Sequence, residues 1–143
     1  MTIGNAERER VVITVLGREH PSAQDFDDGN WLVARVAVAA GAWSGECRAS
    51  LRSEEFAALL AGVRELERTL RGEAAFAPLE PWLTLRLEGD GLGHVTVSGR
   101  ADDDVAIGNK LHFHFELDQT YLGPLIKDLE AVMTEYPVIG ARG

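Results

Sequence analysis

The sequence predicts an α+β fold, a six-stranded and mostly antiparallel sheet with two helices packed on one face. Three observations lead there. In Leu111, Phe113, Phe115 and Leu117 the apolar residues alternate, and from Leu122 through Leu125, Ile126, Leu129, Val132 and Met133 they recur every three or four positions. A half-buried strand therefore runs without a spacer into an amphipathic helix. The same junction occurs earlier, with Leu51, Phe56, Leu59, Leu60 and Val63 matching Leu117, Leu122, Leu125, Ile126 and Leu129 at a constant offset of 66 residues. The remaining chain consists of short apolar segments divided by turn residues, as strands and hairpins require. The arrangement reads as a three-strand-plus-helix unit used twice, (βββα)×2.

Taken in order, residues 1–10 read as a polar tail, and residues 11–16, Val-Val-Ile-Thr-Val-Leu, as the first strand. The stretch from Glu19 to Gly29, with Pro21 and several aspartates, reads as a loop. Trp31 to Ala40 is apolar on both faces except at Arg35, the pattern of a central strand. Gly41-Ala42 turns the chain into a third strand, Trp43 to Leu51, where Trp43, Gly45, Cys47, Ala49 and Leu51 share a face whose small residues leave room for a helix. Ser53 is the expected N-cap of the first helix, Phe56, Leu59, Leu60, Val63, Leu66 and Leu70 form its apolar stripe, and Gly72 ends it. After a linker over 73–81, residues 83–88 and 93–99 form a hairpin across Gly89-Asp90-Gly91. An acidic loop over 101–109 leads to the organising strand and helix, with Asp118 as N-cap and Pro137 closing the helix before a polar tail over 138–143.

A chain of 143 residues suits one domain, and no apolar run approaches the length of a membrane-spanning helix. The polar N-terminus lacks the form of a signal peptide and the single cysteine, Cys47, fits a reducing compartment, so a cytoplasmic location is the expectation. With 23 acidic residues against 14 basic ones the formal charge is −9, which disfavours nucleic acid and favours a basic protein partner. Nothing in the sequence indicates a homo-oligomer.

No catalytic signature is present, and no cofactor is expected. Gly89, Gly91 and Gly93 join two strands and precede no helix, so they are not a phosphate loop. Cys47 has no neighbouring His to activate it. One metal-type arrangement exists: His112, His114 and Glu116 share the polar face of the organising strand, and His94 lies on the strand before it. That face gives the alternative reading, a metal-binding protein or metalloenzyme using His94, His112 and His114, set against an ordinary solvated sheet face. Asp102-Asp103-Asp104 resembles the start of a calcium loop but lacks the later oxygen ligands, which leaves a charged surface loop. Asp102, Asp103, Asp104 and Glu116 are the candidate partner-binding residues.

Three segments can be read together: Trp31-Leu32-Val33 with Gly41-Ala42-Trp43-Ser44-Gly45, the run from Leu51 to Phe56 with Gly72-Glu73-Ala74, and Phe115-Glu116-Leu117-Asp118-Gln119-Thr120-Tyr121-Leu122. Together they resemble a family of small bacterial proteins that includes immunity partners of the wall-associated WapA toxin. The resemblance implies a cytoplasmic protein that binds and neutralises a nuclease-type toxin domain, and it supplies no catalytic residues to place on this chain. The acidic balance agrees with it, since charge complementarity speeds capture of a basic partner.

Overall fold

The computed structural model describes residues 1–5 and 7–142 and contains two separate four-stranded antiparallel sheets. The first half supplies β1 (Thr2–Gly4), β2 (Glu9–Arg18), a one-turn helix α1 (Phe26–Gly29), β3 (Trp31–Ala40), β4 (Trp43–Arg52) and α2 (Ser53–Thr69). The second half supplies β5 (Arg71–Phe76), β6 (Leu83–Asp90), β7 (His94–Asp102), β8 (Lys110–Asp118), a 3-10 turn over Gln119–Tyr121 and α3 (Leu122–Glu135). Strands pair in sequence order within each sheet, β1-β2-β3-β4 and β5-β6-β7-β8. The expected single six-stranded sheet with two helices is therefore wrong.

The correction has two physical sources. β1 is three residues long, too short to show a period, and β5 draws its buried side chains from Ala74 and Phe76 only, in the sequence Arg-Gly-Glu-Ala-Ala-Phe. Alternation also reveals that a strand has one buried face without revealing which strand it pairs with. The repeating unit has four strands before each helix, where the sequence suggested three.

The offset of 66 residues holds at the strand-to-helix junctions. The helical spans 53–69 and 119–135 match in length and both begin after an extended residue, Arg52 or Asp118. Arg64 on α2 and Glu130 on α3 stand at matched positions and pair at 3.1 Å, where the two helices pack together. Phe56, Leu59, Leu60, Val63, Leu122, Leu125 and Leu129 all enter one core, joined by Ile13, Leu32 and Leu51 from one sheet and Leu87, Val97 and Phe115 from the other.

The helix ends differ in chemistry. Asp118 caps as expected, accepting the Thr120 N–H at 2.7 Å. Ser53, the expected cap of α2, lies inside its first turn, and Glu55 reaches back to accept the Arg52 N–H at 2.8 Å. Leu70, with φ of 59°, closes α2 in the left-handed region by donating its N–H to the Leu66 carbonyl, while Gly72 already belongs to β5.

Parts of both expected tails are built into the fold. Ile3 is buried, the Thr2 N–H donates to Asp128 Oδ2 on α3 at 2.9 Å, and the terminal amine donates to the Ile13 carbonyl at 3.0 Å. At the other end Ile139 exchanges two hydrogen bonds with the buried Asn30 side chain, and Arg18 donates to the Pro137 carbonyl at 2.7 Å. Ala6 and Gly143 of those tails lie outside the described residues.

Candidate interaction surface

The Asp102-Asp103-Asp104 run divides its three carboxylates among different tasks. Asp102, the last residue of β7, is fully buried and ion-paired to Lys110 Nζ at 2.8 Å and Arg100 Nε at 2.9 Å. It faces no solvent. Asp103 and Asp104 are exposed and shape the loop by accepting hydrogen bonds from main-chain amides, Asp103 from Asn109 at 2.7 Å and Asp104 from Ala106 at 2.9 Å. The Asn109 amides hold the Asp103 carboxyl below its ordinary range, so it keeps its charge at neutral pH.

This loop forms one wall of a groove of about 360 Å³ between the two sheets. Val36, Val38, Ala101 and Leu111 contribute its apolar surface, and the opposite wall is the start of β4, from Trp43 to Cys47. The two-residue turn at Gly41-Ala42 carries the β3–β4 hairpin out beyond the core, leaving Trp43 70% exposed at the groove mouth. Ile107, at the tip of the acidic loop, is 90% exposed. Of the small residues of β4 expected to admit a helix, Gly45 and Cys47 face this groove, while Ala49 enters the core. Burial pushes the Cys47 thiol up, helped by Asp103, Asp102 and Glu46, and its Sγ lies 3.5 Å from the Asp102 carbonyl. An unactivated thiol is the result, as the sequence suggested.

The histidines do not converge. His112 and His114 pair across to Arg100 and Ser98 on β7, whereas His94 stands opposite Asp118 at the other end of that strand. Four strand residues separate His94 from Ser98, about 13 Å. His112 also neighbours the Arg100 position, a cation that disfavours a metal. No group of three or more His, Cys, Asp or Glu side chains is placed to hold a metal among the described residues. Glu116 is exposed opposite Thr96, on the face remote from the core.

His94 has a local partner instead, Asp90 Oδ2 at 2.6 Å from Nδ1. That hydrogen bond raises the His94 pKa, and Asp90 is lowered to about 2, first by the Leu92 amide and then by His94. The linkage signs are opposite for the two groups. The His94 contribution is complete below 6.5 and fades as pH rises through its raised value; that of Asp90 is complete above 3.8 and fades as pH falls toward 2. The stabilisation from the pair is thus complete only between those limits. A proton NMR titration is expected to place His94 above the ordinary histidine value, and Asp90→Asn to lower it toward that value, with Glu116 and Asp118 still raising it slightly; an unshifted His94 in the parent protein contradicts the pairing.

A larger cavity, about 810 Å³, lies at the start of α2 and is organised by Arg52. This arginine is 6% exposed, stacks on Trp31 at 4.7 Å and Phe26 at 5.2 Å, and donates to the carbonyls of Asp27 and Phe26, both at 2.7 Å. Its Nε is ion-paired to Glu54. Three of its five N–H donors are committed to these partners, so Arg52 holds the 26–30 segment against the helix and keeps two donors toward the cavity. Sequence reasoning missed it, since nothing in the pattern marks an arginine as buried.

A family model described as "Immunity protein WapI-like family" matches residues 2–137. No curated protein matches the chain significantly. Among solved structures, WHY1 from Arabidopsis thaliana superposes with a TM-score of 0.51 at 14% identity, covering 96% of this chain and 86% of that one. MRP1/MRP2 of Trypanosoma bruciei gives a TM-score of 0.46 at 11% identity, covering 87% of this chain and 84% of that one. At such identities the WHY1 likeness describes the fold alone.

Proposed function

Because the chain belongs to the WapI-like immunity protein family, we propose that it neutralises a toxin by binding a basic toxin domain through the groove between its sheets. The observation that carries this reading is Trp43, exposed at the groove mouth and flanked by Glu46 and Asp103. An exposed tryptophan beside an apolar cleft is the kind of side chain that dominates binding energy once covered. Asp103 and Asp104 add a negative rim, and the net charge of −9 extends that field over the molecule. Glu116 lies on a different face and has no evident role in this groove.

The test is association with a candidate toxin domain identified among the genes that flank this one. Asp103→Asn with Asp104→Asn keeps a side-chain oxygen for each loop amide and removes two charges. Association is expected to slow several-fold at low salt and to approach the parent rate as salt screens the field. Identical rates across the salt series reject the loop as the steering surface. No complex at micromolar concentration, with both proteins folded, rejects the immunity reading.

A further inference from the structure

We infer that β4 binds the toxin domain main chain to main chain, taking an extended basic segment of that domain as an added strand. The inference rests on the toxin-binding reading above and names how the same groove would hold its partner. β4 is the outer strand of the first sheet and pairs only with β3. The Ala40–Trp43 pair closes a two-residue turn and the register then runs unbroken to Trp31–Arg52. Antiparallel pairing alternates from that closing pair, so the N–H and C=O groups of Ser44, Glu46, Arg48 and Ser50 point away from β3. Among the described residues no backbone hydrogen bond from a turn or loop falls on 43–51.

Such an edge is usually blunted. Proline, lysine, a bulge or a covering element prevents another chain from adding to it. From Trp43 to Ser50 there is no proline or lysine, and the pairing with β3 contains no bulge. Trp43, Ser44, Gly45 and Glu46 are exposed in succession, so this part of the strand is uncovered on both faces. The other edges are less suited. β1 has three residues and β5 packs beside α2, while β8 begins on the far side of the same groove with Lys110, already held by Asp102.

The surroundings specify the added strand's chemistry. Main-chain bonds to an edge supply affinity, and side chains alternating to one face supply selectivity. On the groove side an apolar residue of the segment would meet Trp43 and Leu111, and a Lys or Arg beside it would meet Asp103; Glu46, on the other face of β4 and paired with Arg35 at 3.0 Å, adds negative charge along the segment's outer face.

Amide hydrogen exchange of the full chain, alone and with that candidate toxin domain, tests this directly. The amides of Ser44, Glu46 and Arg48 are expected to slow at least tenfold in the complex. Glu46→Pro removes an outward N–H without taking a hydrogen bond from β3, since proline is tolerated at such edge positions. It is expected to weaken the complex at least tenfold, whereas Glu46→Gln, which controls for charge, weakens it less. A complex that forms while these amides exchange as in the free protein, or that protects β8 amides instead, overturns the β4 inference and leaves toxin binding intact. Absence of any complex with the parent protein overturns both. If Glu46→Pro fails to fold, the exchange pattern of the parent protein decides by itself.

Discussion

Leu59→Ala and Leu125→Ala are each expected to lower the unfolding free energy by about 2–5 kcal/mol, the range for a leucine removed from a packed core. Leu59 is 0% and Leu125 1% exposed, and both belong to the single cluster that joins the helices to the two sheets. Truncation leaves a cavity among helix and sheet side chains that close only in part, so lost transfer energy and lost contacts add. The two positions match at the 66-residue offset, and similar losses would follow from their similar burial. Chemical denaturation checks this, and midpoints unchanged in both variants would exclude the helices from the core positions described.

Asp102→Ala is expected to cost about 2–3 kcal/mol, more than any change at Asp103 or Asp104. Its carboxylate is fully buried while Lys110 is 46% and Arg100 30% exposed, so deletion strands two cations that water reaches in part. That access keeps the loss at the lower end of what breaking a buried pair causes. Asp102→Asn, which keeps an acceptor, loses less. A melting temperature that falls for Asp102→Ala and barely moves for Asp103→Asn with Asp104→Asn would confirm the division of labour within the run. Equal shifts would refute it.

Much of the local structure is legible in the residues. Leu111, Phe113, Phe115 and Leu117 do form the inner face of β8, Asp118 does cap the turn that follows, and the helix stripes are buried at Phe56, Leu59, Leu60, Val63, Leu66, Leu122, Leu125 and Leu129 but only half-buried at Leu70, Ile126, Val132 and Met133. Trp31 to Ala40 is the interior strand its two-sided apolar pattern suggests. The candidate surface is less legible. Asp102, Asp103 and Asp104 are equivalent as letters, and only the fold sets Asp102 inside, paired with Arg100 from its own strand β7 and with Lys110 at the start of β8. Trp43 looks like an inward residue by alternation with Ala49 and Leu51, yet the hairpin carries it past the edge of the core. The short turn at Gly41-Ala42 immediately before it was the available signal.

By itself the sequence determined the period of each element, the two matched strand-to-helix junctions and the excess of negative charge. These depend on neighbours within a few residues, where backbone geometry dictates which side chains share a face. Tertiary structure decided that eight strands divide into two sheets, that Arg52 and Asp102 go inside, that His94 stays apart from His112 and His114, and that β4 is left as an open edge. Each of these outcomes turns on partners distant in sequence. A strand's pattern shows which face is buried, while the identity of its neighbour, and whether it has one on both sides, is settled only when the sheets close on a common core.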